Sequence, residues 1–150
     1  MSIKLRQKWH TFLNLPSQSN ISWHESRLIE ELSERRKATT PLARLSETSD
    51  VLFTLSRAEH DGFPIAFRPA WSRTYNTVAF TYMLGKFTSR WCFYRVAAYY
   101  AGKHDWSNVR EVVNPRKGTK LDEVADRHGI DKIKFGRVGR RLLWALPVLP

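Results

Sequence analysis

The chain has 150 residues, 42% hydrophobic and 13% aromatic, which supports one ordinary folded domain and excludes global disorder. Cys92 is the only cysteine, so an internal disulfide is excluded, a cysteine-based zinc site lacks its ligands, and a reducing, intracellular (cytoplasmic) setting is expected. The formal net charge of +11 directs attention to anionic partners: a nucleotide or other phosphorylated anion, nucleic acid, or an acidic membrane surface.

The first predicted helix runs from about Ile3 to Leu15 and stops at Pro16. Its start, Met1 to Trp9, is basic, acid-free and amphipathic. That fits a surface helix with Leu5, Trp9, Phe12 and Leu13 packed inward, and a mitochondrial transit peptide is the alternative. Ser22 and Glu25 have the spacing of a capping box, which starts a second helix that reaches about Ala38, with Leu28, Ile29 and Leu32 on one face. Thr39-Thr40-Pro41 reads as a turn with proline at the first position of a third helix. That helix carries Leu42, Leu45, Leu52, Leu55 and Ala58 and ends near His60-Asp61, with Gly62 as its cap. A cationic His60 is favoured there by the helix dipole.

The fourth helix starts around Ser72 or Thr74 and continues to Ala101. It is apolar nearly all round, so it reads as the central helix, and Cys92 reads as a small buried hydrophobe within it. Lys86, Arg90 and Arg95 interrupt its apolar stretch and argue against a membrane span. A loop at His104 to Asn108 leads to Val109–Val113, a short strand or irregular link. A fifth helix then spans about Lys120 to His128, Gly129 turns the chain, and a sixth starts near Asp131. The apolar end, Leu142 to Pro150, is expected to dock on the domain or on a second chain. The fold class is therefore all-α. An antiparallel helical bundle of about four core helices fills residues 1–102, and a basic helical extension follows over residues 103–150.

Acidic residues are concentrated. Eight of the fourteen fall between Glu25 and Asp61, and none occurs from Gly62 to His104, so carboxylate chemistry belongs to the second and third helices. Glu31 and Glu34 share a helix face, as do Glu47 and Asp50. On each helix they are expected to lie opposite the apolar stripe. The short turn between the helices makes them antiparallel neighbours, which lets the two pairs face each other. Four converging carboxylates repel unless a cation sits between them, and Mg²⁺ takes such oxygen ligands together with water and phosphates.

The pattern Glu-x-x-Glu, twelve intervening residues, then Glu-x-x-Asp resembles the signature of the all-α nucleoside triphosphate pyrophosphohydrolases, the group of MazG-type enzymes and dCTP pyrophosphatases. The flanks, Leu28 to Glu34 and Glu47 to Phe53, are similar to the family's two acidic helices, and the resemblance covers roughly residues 22 to 62. It implies Glu31, Glu34, Glu47 and Asp50 as catalytic Mg²⁺ ligands, with Glu30 as the alternative member of the first pair. It also implies hydrolysis of a nucleoside triphosphate to the monophosphate and pyrophosphate. The family often places Asn, Lys and Arg on a later helix to hold phosphates, and the candidates here are Lys86, Arg90, Arg95, Asn114 and Lys117. Members are usually dimeric or larger, and the apolar fourth helix and tail are also more apolar than one small domain needs, so a homo-oligomer is expected.

The segment Leu121 to Leu142 looks like a helix-turn-helix unit. In a nucleic-acid-binding version, Lys132, Lys134, Arg137, Arg140 and Arg141 would meet phosphates or base edges. Gly136 and Gly139 weaken that second helix. The alternative to an enzyme is thus a nucleic-acid-binding or adaptor protein using the basic C-terminal half, and a structural subunit is a third reading. No phosphate-binding loop, nucleophile elbow or His-Glu-x-x-His motif occurs.

Overall fold

The computed structural model describes residues 3–67 and 70–145. Among these residues the protein is all-helical, with no strand. The helices are α1 (Ile3–Leu13), α2 (Ile21–Lys37), α3 (Pro41–His60), α4 (Arg73–Tyr100), α5 (Lys120–Arg127) and α6 (Lys132–Ala145), and a 3-10 turn covers Trp106–Asn108. No described helix is long and apolar enough to cross a membrane. The segment Val109–Val113 is irregular. The chain forms two compact units, Met1–Gly85 and Lys86–Pro150, so the division falls inside α4 and not at Gly102.

In the first unit, α2 starts two residues earlier than the capping-box spacing suggests. Asn20 is the cap, its Oδ1 accepting from the Ser22 backbone N–H at 2.9 Å, and Glu25 is exposed. Asn20 wins because it sits in extended backbone just ahead of the first helical residue, where an amide oxygen reaches the free N–H groups. At α3, Thr40 Oγ1 accepts from the Ala43 N–H and Pro41 occupies the first turn, as expected. Asp61 caps the other end, and Gly62 follows at φ 91°, where a Cβ would be strained.

Side-chain pairs fix the helix directions. Gln7 meets His60 and His10 meets Ser56, so α1 and α3 are antiparallel. His24 lies 3.5 Å from Asp61 while Arg35 meets Thr48, so α2 and α3 are antiparallel as well.

The inward faces of α1 and α2 differ from the apolar stripes. His10 and Leu13 are buried on α1, with Leu5 and Phe12 exposed; His24, Leu28 and Glu31 are buried on α2, with Ile29 exposed. The buried surface of α3 is partly polar, with Thr48, Ser49, Ser56 and Arg57 beside Val51, Leu52 and Ala58. Arg57 donates to the carbonyls of Leu15 and Pro16 and, through Nε, to Asp61, which also accepts from the Gln18 N–H. Buried polar partners therefore outrank hydropathy in choosing the faces. His60 follows the same logic. It stacks on His10, and burial followed by the Arg57 charge lowers its pKa, so the neutral form is favoured over the cationic one.

The second unit has an apolar core of Phe93, Tyr94, Ala97, Ala98 and Ala101 on α4 with Val109, Val124, Ala125, Ile130 and Phe135. Leu142 and Leu143 pack against it, so the start of the apolar tail docks on its own chain; residues 146–150 lie outside the described residues. Glu111 is buried, accepting from Arg127 at 2.6 Å and His128 at 3.0 Å, which pins the irregular link to the end of α5. Cys92 is exposed, contrary to the buried position expected, because in the second unit it shares an open side of α4 with Val96 and Tyr99.

Candidate metal centre

The α2–α3 pairing carries the acidic residues with it. The link of residues 38–40 is too short for anything but a reversal, and Arg35 on α2 reaches Thr48 on α3 at 2.8 Å. That contact sets the register. One turn earlier on α2 is Glu31, next to Arg35 is Glu34, and next to Thr48 is Glu47. One carboxylate oxygen from each of Glu31, Glu34 and Glu47 lies within 4.8 Å of the others.

Glu31 is the unusual member. It is 2% exposed and shares the buried face of α2 with His24 and Leu28, where the sequence pattern placed the acids opposite the apolar stripe. Its Oε1 is paired with Arg27, while the buried Oε2 accepts no hydrogen bond among the described residues. Burial pushes its pKa up to about 7; the Asp50 charge adds to the rise, Arg27 opposes it, and Glu34 and Glu47 contribute further. Asp50 stands outside the trio of converging oxygens, yet its charge acts on Glu31 more than either neighbour's does. Glu30 points elsewhere: it is half exposed and bonds Arg27 at 2.5 Å. Of the doubled glutamate, Glu31 is the member with an oxygen near those of Glu34 and Glu47.

This donor set suits a hard divalent cation. It offers oxygen atoms only, Glu31 Oε2 is buried without a hydrogen bond, and a cation would offset both the burial and the carboxylate repulsion that raise the Glu31 pKa.

Arg35 is turned to other work. Its guanidinium lies over the Trp71 ring at 4.6 Å, and Thr48, which donates to the Arg44 carbonyl, accepts from both Arg35 and Tyr75. Neither Trp71 nor Tyr75 stands out in the sequence, because the role of each depends on a contact with a residue far away along the chain, Arg35 for Trp71 and Thr48 for Tyr75.

The expected phosphate-holding residues all lie in the second unit. Lys86 and Arg90 are buried, and Arg90 donates weakly to the Val112 carbonyl at 3.4 Å. Arg95 is stacked on Trp91, and Asn114 Oδ1 accepts from the Arg116 N–H in a local turn. Lys117 sits in the same turn, its N–H bonding the Asn114 carbonyl.

In the helix-turn-helix segment, Gly129 has φ 60° and the Ile130 N–H closes back on the Ala125 carbonyl. Lys132, Lys134, Arg137, Arg140 and Arg141 are all exposed, with Lys132 paired to Asp126 at 2.8 Å. Gly136 and Gly139, which weaken the helix intrinsically, are buried in its inner face; a Cβ on Gly139 would stand 3.1 Å from Leu121.

Comparison with models of protein families, with characterised proteins and with solved structures finds no match to this chain.

Proposed function

We propose that the acidic turns of α2 and α3 bind Mg²⁺ and that the protein hydrolyses a nucleoside triphosphate to the monophosphate and pyrophosphate. The observation that carries this reading is the convergence of one carboxylate oxygen from each of Glu31, Glu34 and Glu47, together with a buried Glu31 Oε2 that accepts no hydrogen bond among the described residues. The resemblance of Glu31, Glu34, Glu47 and Asp50 to the all-α pyrophosphohydrolase pattern supplies the reaction class. Glu31, Glu34 and Glu47 would hold the ion, with Asp50 completing the acidic set. The ion, when bound, would supply charge neutralisation at the phosphates. A carboxylate of the set accepts the proton of the attacking water.

The test is pyrophosphate release from a panel of standard and modified nucleoside triphosphates, with Mg²⁺ and with chelator. Release that needs the metal and disappears in Asp50→Asn is expected. No release from any nucleotide by the folded protein would end the enzymatic reading.

One observation favours a second reading, nucleic-acid binding through α6. That helix contains no acid, and its five cations all lie on the exposed side while Phe135 and Gly139 pack inward. Such binding weakens steeply with salt, needs no Mg²⁺, and survives substitution of Glu47 or Asp50.

A further inference from the structure

The C-terminal part of α4 carries an arrangement that neither reading uses. Trp91, Arg95 and Tyr99 follow one another at four-residue intervals, so they line one face of the helix at steps of about 6 Å. The Arg95 guanidinium lies 4.1 Å from the Trp91 ring centroid and 5.1 Å from that of Trp106, which folds back from the 3-10 turn. Trp106 meets Tyr99 edge-to-face at 5.9 Å, and Tyr99 meets Tyr100 the same way at 5.3 Å. Perpendicular packing covers only part of each ring. Tyr99 is 58% exposed and Tyr100 68%, so both present open aromatic surface.

The charge around this cluster decides what suits it. Residues 86–150 carry fourteen Lys and Arg against six acids, a net of +8, and no acid occurs from Gly62 to His104. The nearest one in sequence, Asp105, is held by Lys103 at 3.2 Å. A purely apolar partner would leave the cations unused. A strand of unpaired nucleotides uses both features, because its bases stack on aromatic faces and on guanidinium planes while its phosphates meet the cations. A duplex hides its base faces and gains nothing from the rings.

We propose that Tyr99, Tyr100 and Trp106, braced by Arg95 and Trp91, form a stacking platform for single-stranded nucleic acid. The platform is independent of the acidic site and of Mg²⁺. It also differs from duplex docking by α6, which would read phosphates and base edges and not base faces.

Fluorescence anisotropy of labelled oligothymidylate and oligouridylate with the full chain tests it, beside a labelled duplex of equal length. The two single-stranded arms separate a DNA ligand from an RNA one. The single strand should bind more tightly than the duplex. Tyr99→Ala/Tyr100→Ala should weaken single-strand binding about tenfold or more while leaving duplex binding unchanged. Tyr99→Phe/Tyr100→Phe, which keeps the rings, should bind as the wild type does, and circular dichroism of both variants checks that α4 remains folded. A wild type that binds no single strand or prefers the duplex, or an alanine variant that retains single-strand affinity, would overturn the proposal.

Discussion

Arg27 and Glu31 stand one helical turn apart on α2, and their pairing is one-sided: the guanidinium reaches Oε1, while the buried Oε2 accepts no hydrogen bond. One cation thus offsets only part of the repulsion that Glu31 receives from Asp50, Glu34 and Glu47.

Burial, together with that imbalance, has a pH signature. The folded carboxyl is raised to about 7 from 4.5, so between those values the folded state holds a proton that the unfolded chain has released. Stability is therefore fully present below 4.5 and is lost as pH rises through about 7. In metal-free protein, Glu31→Gln should remove this limb and be more stable than wild type by about 1–3 kcal/mol at mildly alkaline pH. Mg²⁺ should restore the wild type saturably and leave the variant unmoved. Urea denaturation with and without Mg²⁺ reads both effects. A stability difference between Glu31→Gln and wild type that does not change across the window would contradict the assignment.

The acid side is set by His10. Ser56 donates its hydroxyl to the Phe53 carbonyl, so it accepts from His10 Nε2–H at 2.9 Å, and Nδ1 stays bare and buried with no hydrogen-bond partner. Burial first, then the charges of Arg57, His60 and Arg6, lowers its pKa to about 3. Here the unfolded chain takes the proton first. The stability is complete above 6.5 and drains as pH falls towards 3, by up to about 1.4 kcal/mol per pH unit. His10→Gln, which keeps a donor for Ser56, should flatten that limb in thermal unfolding scans. Between 4.5 and 6.5 the two limbs oppose each other, so their separate slopes emerge only in the variants.

Asp61 and Arg57 form a buried pair at 3.0 Å, with the Asp61 side chain fully covered. Asp61→Ala leaves the guanidinium buried without its carboxylate and should cost about 3 kcal/mol or more. Asp126→Ala, which breaks the exposed pair with Lys132, should cost less than about 1 kcal/mol. Equal effects in chemical denaturation would show that burial is not what separates them.

Gly139 meets Leu121 and Phe93 in the second unit. Gly139→Val should destabilise by about 1–3 kcal/mol through overpacking. Adding Leu121→Ala should recover part of the loss, and simple additivity of the two substitutions would count against a direct contact.

Much of the fold was legible. Helix punctuation by Pro16, Pro41, Gly62, Gly102 and Gly129 is local chemistry, and the helices end within a few residues of it. The acidic spacing on α2 and α3 was legible for the same reason. Which faces turn inward was not, because His10, His24, Glu31 and Arg57 are buried polar groups that hydropathy assigns to the surface. The capping box misled because Asn20, two residues ahead of Ser22, offers an equally short-range acceptor in better backbone geometry. The Trp71 and Tyr75 contacts to Arg35 and Thr48 join segments that no periodicity connects.

The open side of α4 also equips the protein for observation. Cys92 is the chain's sole thiol and is solvent-exposed, so maleimide chemistry attaches one probe at one known place without prior mutagenesis. It lies seven residues before Tyr99, roughly two helical turns along the same helix. A dye there would report a strand arriving at the aromatic cluster through its own change in brightness.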